Sequence, residues 1–292
     1  MNKIECSIYD DAAALDSLLE NRRAKYAGDL VGYGEQIKAA YLQYESGGGN
    51  AYRISGVALS SEAGKALEYY YANPTKELAY IDKIRAEHRH LPCAMCGSFH
   101  SETLDHIMPK SLDKAFSIYS KNLVPACKCN TDRGDVLFGV LPGERVLHPY
   151  FDDCLRERLV SARFTDLDTI PITDVELSIL PEHPHYRAIC FHFRSIVLKT
   201  GIRDHAARRF VQLCRRPGLV IPSFIRENPE SEIALERTIL DERGRMDDLH
   251  EGKNNWDSVF LSGLLAGPVI SWLYRRMSLP GRRVNGALIE NL

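Results

Sequence analysis

Apolar residues recur along the first part of the chain at Ala14, Leu15, Leu18 and Leu19, just behind Asp10 and Asp11. That spacing puts them on one face of a helix, with an acidic residue placed to cap its start. A second run carries Ile37, Ala40, Tyr41 and Tyr44 and stops at Gly47, Gly48, Gly49 and Asn50. Ser61 opens a third helix through Leu67, and Thr75 a fourth through Leu78, Ile81 and Ile84. Between about residue 86 and residue 150 the helical period lapses, cysteines cluster, and short β-like runs occupy 103–107 and 122–126. After Pro149 the pattern turns helical again. Ile189, Phe191, Phe193, Val197 and Leu198 predict a buried helix ending at Gly201. Polar-faced helices are expected over 202–214 and 229–250, and an apolar one over 256–277. The pattern predicts three regions, 1–85, 86–150 and 151–292: a mainly α chain whose helical body carries a small insert.

Composition narrows the classes. At 292 residues, 45% hydrophobic and 26% charged, the chain can bury a sizeable core. Thirty-seven basic residues face 39 acidic ones, for a net charge of −2, which excludes binding to nucleic acid through bulk charge alone. The opening residues lack the apolar core and cleavage site of a signal peptide. The longest uncharged stretch, Val259 to Tyr274, is short of the ~20 residues a spanning helix needs and holds Gly263, Gly267 and Pro268. A soluble, cytoplasmic protein without a membrane partner is expected, its eight cysteines serving as thiols and metal ligands.

The chemistry concentrates in the insert. Cys93 and Cys96 form a Cys-x-x-Cys knuckle, and Cys127 and Cys129 form a second pair after thirty residues (97–126). Four thiolates satisfy tetrahedral Zn²⁺, which here would be structural and replace a core too small to hold itself together. The second pair has a single intervening residue, Lys128. If one of its cysteines is not a ligand, His88, His90 or His100 is available to complete the site.

Between and around the pairs lie Asp105-His106-Ile107-Met108-Pro109-Lys110-Ser111, Asn122-Leu123-Val124-Pro125 and Cys129-Asn130. This segment, from Cys93 to about Arg133 or Asp135, resembles the HNH endonuclease family. The resemblance implies a zinc-stapled ββα-metal module inserted in the helical body, and metal-dependent hydrolysis of phosphodiester bonds in DNA, with RNA not excluded. His106 is the expected general base, because a neutral imidazole accepts a water's proton near neutral pH. Asp105, on the other side of the strand, would hold a catalytic Mg²⁺ or Mn²⁺. Asn130 matches the family's second protein ligand, and Asn122 the residue that orients the base. The Cys-Lys-Cys spacing brings Asn130 one residue closer to Asn122 than the family pattern has it, and leaves Asp132 as a fallback ligand. Lys110 and Arg133 are candidate phosphate contacts. Restriction, homing and antiviral defence are the roles such modules imply, and an ATPase that controls the cut is a candidate protein partner. The alternative is a catalytically idle zinc module that binds nucleic acid or a protein.

Outside the insert, Arg203, Arg208, Arg209, Arg215 and Arg216 share one predicted helix with only Asp204 to oppose them. Arg275, Arg276, Arg282 and Arg283 form a second excess. Both are candidate DNA-binding faces, with solvated helix surfaces as the other reading. His183, His185 and His192 match no metal-site spacing and are expected to pack at a helix end. Asp152-Asp153 reads as a solvated turn, His148-Pro149-Tyr150 as a possible border of the cleft, and Cys6, Cys154, Cys190 and Cys214 as inert thiols.

Overall fold

The computed structural model describes residues 1–6, 8–88, 90–168 and 171–289. They form a mainly α chain with two small antiparallel sheets. It divides into two compact units: one comprises Met1, Lys3–Cys154 and Pro184–Lys199, the other Asn2, Leu155–His183 and Thr200–Leu292. The N-terminal helices and the cysteine-bearing segment therefore share one unit.

In the first unit, α1 (Asp11–Glu20) starts where Asp10 accepts the Ala13 N–H. α2 (Gly34–Ser46) buries Ile37, Ala40, Tyr41 and Tyr44. α3 (Ser61–Ala72) is capped by the Ser60 hydroxyl, and α4 (Tyr80–His88) follows a single 3₁₀ turn at Lys76–Leu78. The buried face of each is the one its apolar spacing defines, and together they build a core that continues into Leu104, Phe116, Tyr119 and Leu123 of the insert. Each of these fully buried side chains is worth roughly 1.5–3 kcal/mol, so the insert rests on the helical core as well as on its cysteines.

Two strands and a short helix follow: β1 (Thr103–His106), β2 (Leu123–Ala126) and α5 (Lys128–Arg133). β1 and β2 pair antiparallel, Thr103 opposite Ala126 and His106 opposite Leu123. Alternation along β1 turns Leu104 and His106 inward and leaves Asp105 half-exposed. α6 (Tyr186–Ser195) also belongs to this unit, although it lies far downstream in sequence. Its buried His192 accepts the Leu147 N–H at Nδ1 (3.1 Å) and donates from Nε2 to the Met95 carbonyl (2.7 Å), tying the first cysteine knuckle down. Burial pushes its pKa down to about 3. The helix ends at Ser195 and a 3₁₀ turn carries Val197–Lys199, so the expected continuous helix to Gly201 is broken.

The second unit holds a hairpin, β3 (Val160–Thr165) with β4 (Ile172–Leu177), where the sequence pattern predicts helix. Val160, Ala162 and Phe164 do alternate inward, but β4 buries only Val175 and carries no period of its own. α7 (Ile202–Arg215) and α8 (Glu232–Leu249) match expectation. The apolar segment 256–277 is two helices, α9 (Trp256–Leu264) and α10 (Gly267–Met277), bent by 78° at the break. Pro268 sits in the first turn of α10, where its missing N–H costs nothing. α9 packs on β3 so tightly that a Cβ at Gly263 would meet the Ala162 carbonyl oxygen at 2.4 Å. Among the described residues no single helix is long and apolar enough to cross a membrane.

Candidate active site

The four cysteines converge. Their sulfurs all lie within 4.8 Å of one another, with Cys93 Sγ 3.6 Å from Cys129 Sγ and Cys96 Sγ 3.5 Å from Cys127 Sγ. A tetrahedron of thiolates at ~2.3 Å from Zn²⁺ has edges of roughly 3.8 Å, so the cluster fits a metal such as zinc. The Cys-x-Cys pair reaches because Cys127 is the extended residue before α5 while Cys129 lies in its first turn. Backbone N–H groups of Cys127 and Cys129 point at Cys93 Sγ (3.2 Å) and Cys127 Sγ (3.4 Å). Hydrogen bonds among the four sulfurs lower the Cys127 thiol and raise those of Cys96 and Cys129, and a bound metal takes each as the thiolate. His90 and His100 are exposed, and His100 is paired with Glu102 at 2.9 Å. The His88 side chain lies outside the described residues.

Asp105 and His106 sit at the end of β1. The His106 ring is 3% exposed, and its Nε2 lies 2.9 Å from the Ser117 carbonyl oxygen. A carbonyl only accepts, so Nε2 carries the hydrogen and, in the neutral ring, Nδ1 is left with a free lone pair. That nitrogen stands 3.8 Å from Asp105 Oδ1. Burial alone would raise the Asp105 pKa. The His106 ring in its protonated form, with Nδ1–H toward the carboxylate, together with the Asn130 amide and the His106 backbone N–H, outweighs it and holds the carboxyl at about 2. Its outer oxygen is 3.4 Å from the Thr131 hydroxyl on α5. A carboxylate oxygen is a donor type that hard divalent ions take.

The other expected residues are placed differently from one another. Asn122 does not touch the His106 ring. Fully buried, it accepts from Tyr44 Oη (2.9 Å) and Met108 N (2.7 Å) and donates to the Met108 and Phe116 carbonyls (3.1 Å each). It thus pins the loop whose next residue, Ser117, holds His106. Asn130 donates to the His106 carbonyl (3.0 Å), and its Oδ1 accepts from Arg133 Nε at 3.1 Å. Arg133 is 3% exposed and spends its remaining donors on the carbonyls of His106, Ile107 and Val136, so it is a buried clamp and offers no phosphate contact. Asn130 Oδ1 is thus engaged by Arg133, and the amide's link to Asp105 is the lowering pull on its carboxyl. Asp132 is exposed, 3.7 Å from Lys128 Nζ. Lys110 is half-buried with Nζ 4.6 Å from the centre of the Tyr71 ring.

Three contributors, Tyr71, Ser117 and Tyr44, carry no mark in the sequence. Tyr71 of α3 sets its ring edge-on to His106 at 4.4 Å, and Ser117 supplies only a carbonyl. Tyr44 of α2 links Asn122 to the buried His148, whose Nε2 is 3.0 Å from the Tyr44 hydroxyl. His148 Nδ1 accepts the Tyr150 N–H, and burial lowers its pKa to about 3, so it stays neutral. The backbone turns away beneath it at Gly49, at φ +63°, where a Cβ would strike the ring at 2.3 Å. A Tyr on an amphipathic helix is an ordinary core residue by its spacing, so no local signal marked either tyrosine. His148-Pro149-Tyr150 is thus internal support rather than a cleft border, and Asp152 is a buried partner of Arg145 (2.5 and 2.6 Å) rather than a solvated acid.

In the second unit, Arg208, Arg215 and Arg216 are exposed. Arg203 pairs with Asp174 (2.6 Å) and the half-buried Arg209 with Asp257 (3.3 Å), so other elements supply acids that the helix itself lacks. Arg275 and Arg276 both reach Asp168, and Arg282 bonds the carbonyls of Met277, Gly286 and Ala287. His183 pairs with Glu157 at 3.1 Å. Burial pushes the Cys6 thiol up to about 11 and the Cys214 thiol up to about 12, consistent with inert cysteines.

No protein-family model matches the chain, and no solved structure matches it. It is similar to the protein ea31 of Escherichia phage lambda, 34% identical over 76 residues. That stretch is 25% of this chain and 26% of the phage protein, so the chain spans about a quarter of the relative it matches.

Proposed function

We propose that the chain is a metal-dependent endonuclease of the HNH type that hydrolyses phosphodiester bonds in DNA, with restriction or antiviral defence as its setting. The reading is carried by one juxtaposition: a carboxylate and an imidazole adjacent on β1, with a backbone carbonyl on Nε2 that leaves Nδ1 as the basic nitrogen. A divalent ion on Asp105 would supply charge neutralisation for the phosphate and its leaving oxygen. His106 Nδ1 takes a proton from the attacking water as its oxygen bonds to phosphorus and the opposite P–O bond breaks. Asn130 and Arg133 hold Asp105 and the end of β1, while Asn122 and Tyr44 hold the Ser117 loop. The cysteine cluster, with zinc, keeps β2 and α5 in register and takes no part in the chemistry.

The test is a Mg²⁺ and Mn²⁺ titration of the purified protein against supercoiled plasmid and labelled RNA. Plasmid is expected to be nicked or linearised only with metal, and His106→Ala to lose ~10²–10⁴-fold in rate with zinc content and melting temperature unchanged. RNA cleavage alone would change the substrate class. Cleavage of neither, or full activity in His106→Ala, would leave the idle zinc module as the better reading.

A further inference from the structure

A cavity of about 530 Å³ lies between α4 and the β1–β2 hairpin, lined among others by Tyr71, Arg85, Ser101, Glu102 and Leu104, and reaches His106 only through the Tyr71 ring. Its size falls in the range of small-ligand sites, ~300–1,000 Å³. Ser101 is 3% exposed, and its Oγ has no hydrogen-bond partner among the described residues. A buried hydroxyl left this way is costly unless something meets it. Arg85 sets its guanidinium 5.0 Å from the Tyr71 ring centre and donates to the Tyr71 carbonyl (2.9 Å) and Asp82 (2.8 Å), with a third of its side chain open to solvent. The same ring carries Lys110 Nζ at 4.6 Å and meets His106 at 4.4 Å. One tyrosine ring therefore joins the cavity, two cations and the general base. The two acids at the cavity are already engaged, Asp82 by Arg85 and Glu102 by His100.

We infer that this cavity is a subsite for the substrate nucleotide next to the cut phosphate. The inference rests on the endonuclease reading. Cations interleaved with an aromatic ring are the means by which proteins track a nucleic-acid strand. Lys110 lies between the reacting centre and the cavity, Arg85 exchanges its Asp82 partner for a strand phosphate, and the sugar or base edge enters on the Ser101 side, where the covered hydroxyl is exposed to meet it. α3 and α4 thereby belong to the substrate-binding surface.

Oligonucleotide binding and cleavage by the full chain test this, comparing wild type with Arg85→Gln and Arg85→Lys. Arg85→Gln should raise KM about tenfold with kcat within about twofold, the loss of one charge-assisted contact. It should also flatten the slope of log affinity against log salt by about one, and Arg85→Lys should restore that slope. A second measurement needs no change at the cavity: a 5-iodouracil strand photo-crosslinked to His106→Ala should label Tyr71 or the 101–104 segment when the iodouracil adjoins the cut position. If wild type cuts DNA while Arg85→Gln keeps the KM and salt slope, or if the crosslink falls only elsewhere, the subsite is wrong and the nuclease reading stands. If wild type neither binds nor cuts nucleic acid, both fall.

Discussion

The cysteine cluster and the Asp105–His106 pair lie in the same short segment, yet they are held in opposite ways. The cluster is closed: four sulfurs from two short stretches face one another, and their ordering requires little beyond a knuckle turn, the start of α5 and the His192 tie to Met95. The pair has Asp105 half-exposed and His106 buried, and is supported from behind. His106 depends on the Ser117 carbonyl, that loop on Asn122, Asn122 on Tyr44, and Tyr44 on His148. A metal-closed site carries its own binding energy, whereas an open one has its geometry imposed by the packed body around it. Damage should therefore spread differently from each.

The largest effect is expected at the cluster. Cys129→Ser should drop zinc from about one per chain to near none and unfold the first unit, because structural zinc sites contribute ~10–16 kcal/mol of apparent binding energy. Metal analysis with thermal melting checks this. A zinc-free variant that melts like wild type would show that the cluster is not a staple.

A smaller effect is expected at Asp11, which is buried against Ser120. It accepts from the Ser120 N–H (2.8 Å) and hydroxyl (2.6 Å), just before Asn122. Burial raises its pKa from 3.8 to about 6, against the lowering pull of Ser120, Lys121 and Tyr80. An acid raised on folding favours the folded state when protonated. Its contribution is full below about pH 4 and is lost as pH rises through about 6, a swing of roughly 3 kcal/mol. Asp11→Asn should remove that swing, seen as a flatter pH dependence of urea-unfolding free energy between pH 4 and 7. An unchanged profile would place the titration elsewhere.

The smallest effect belongs to the far end of the supporting chain. Tyr44→Phe leaves the His148 N–H and one side of Asn122 without a partner, which costs about 1–3 kcal/mol. Zinc content should hold, the melting temperature should fall by several degrees, and cleavage should slow by less than His106→Ala slows it. A variant that loses zinc would mean that the two sites share one support after all.

Much of this was legible in the residues alone. The spacing of apolar positions defines α1, α2 and α3, because a helix's buried face is a local periodicity. The four cysteines announce themselves because paired thiols at this spacing have few uses besides a metal, and Asp105 and His106 fall on one strand because they are adjacent in sequence. Tertiary structure alone decided the rest. Ser117 contributes a backbone carbonyl, which every residue has, so nothing in its side chain could have revealed it. Arg133 looks like a phosphate contact until packing turns its guanidinium inward onto the carbonyls at the end of β1. β4 is too exposed to show an alternation, and the 256–277 helix breaks at 265–266 because α10 begins afresh at Gly267 and Pro268, a bend that apolar composition does not record. α6 joins the first unit through the His192 bridge between Met95 and Leu147, partners 97 and 45 residues away. Local periodicity and reactive side chains are written along the chain, whereas hydrogen bonds between distant and chemically ordinary groups exist only once it has folded.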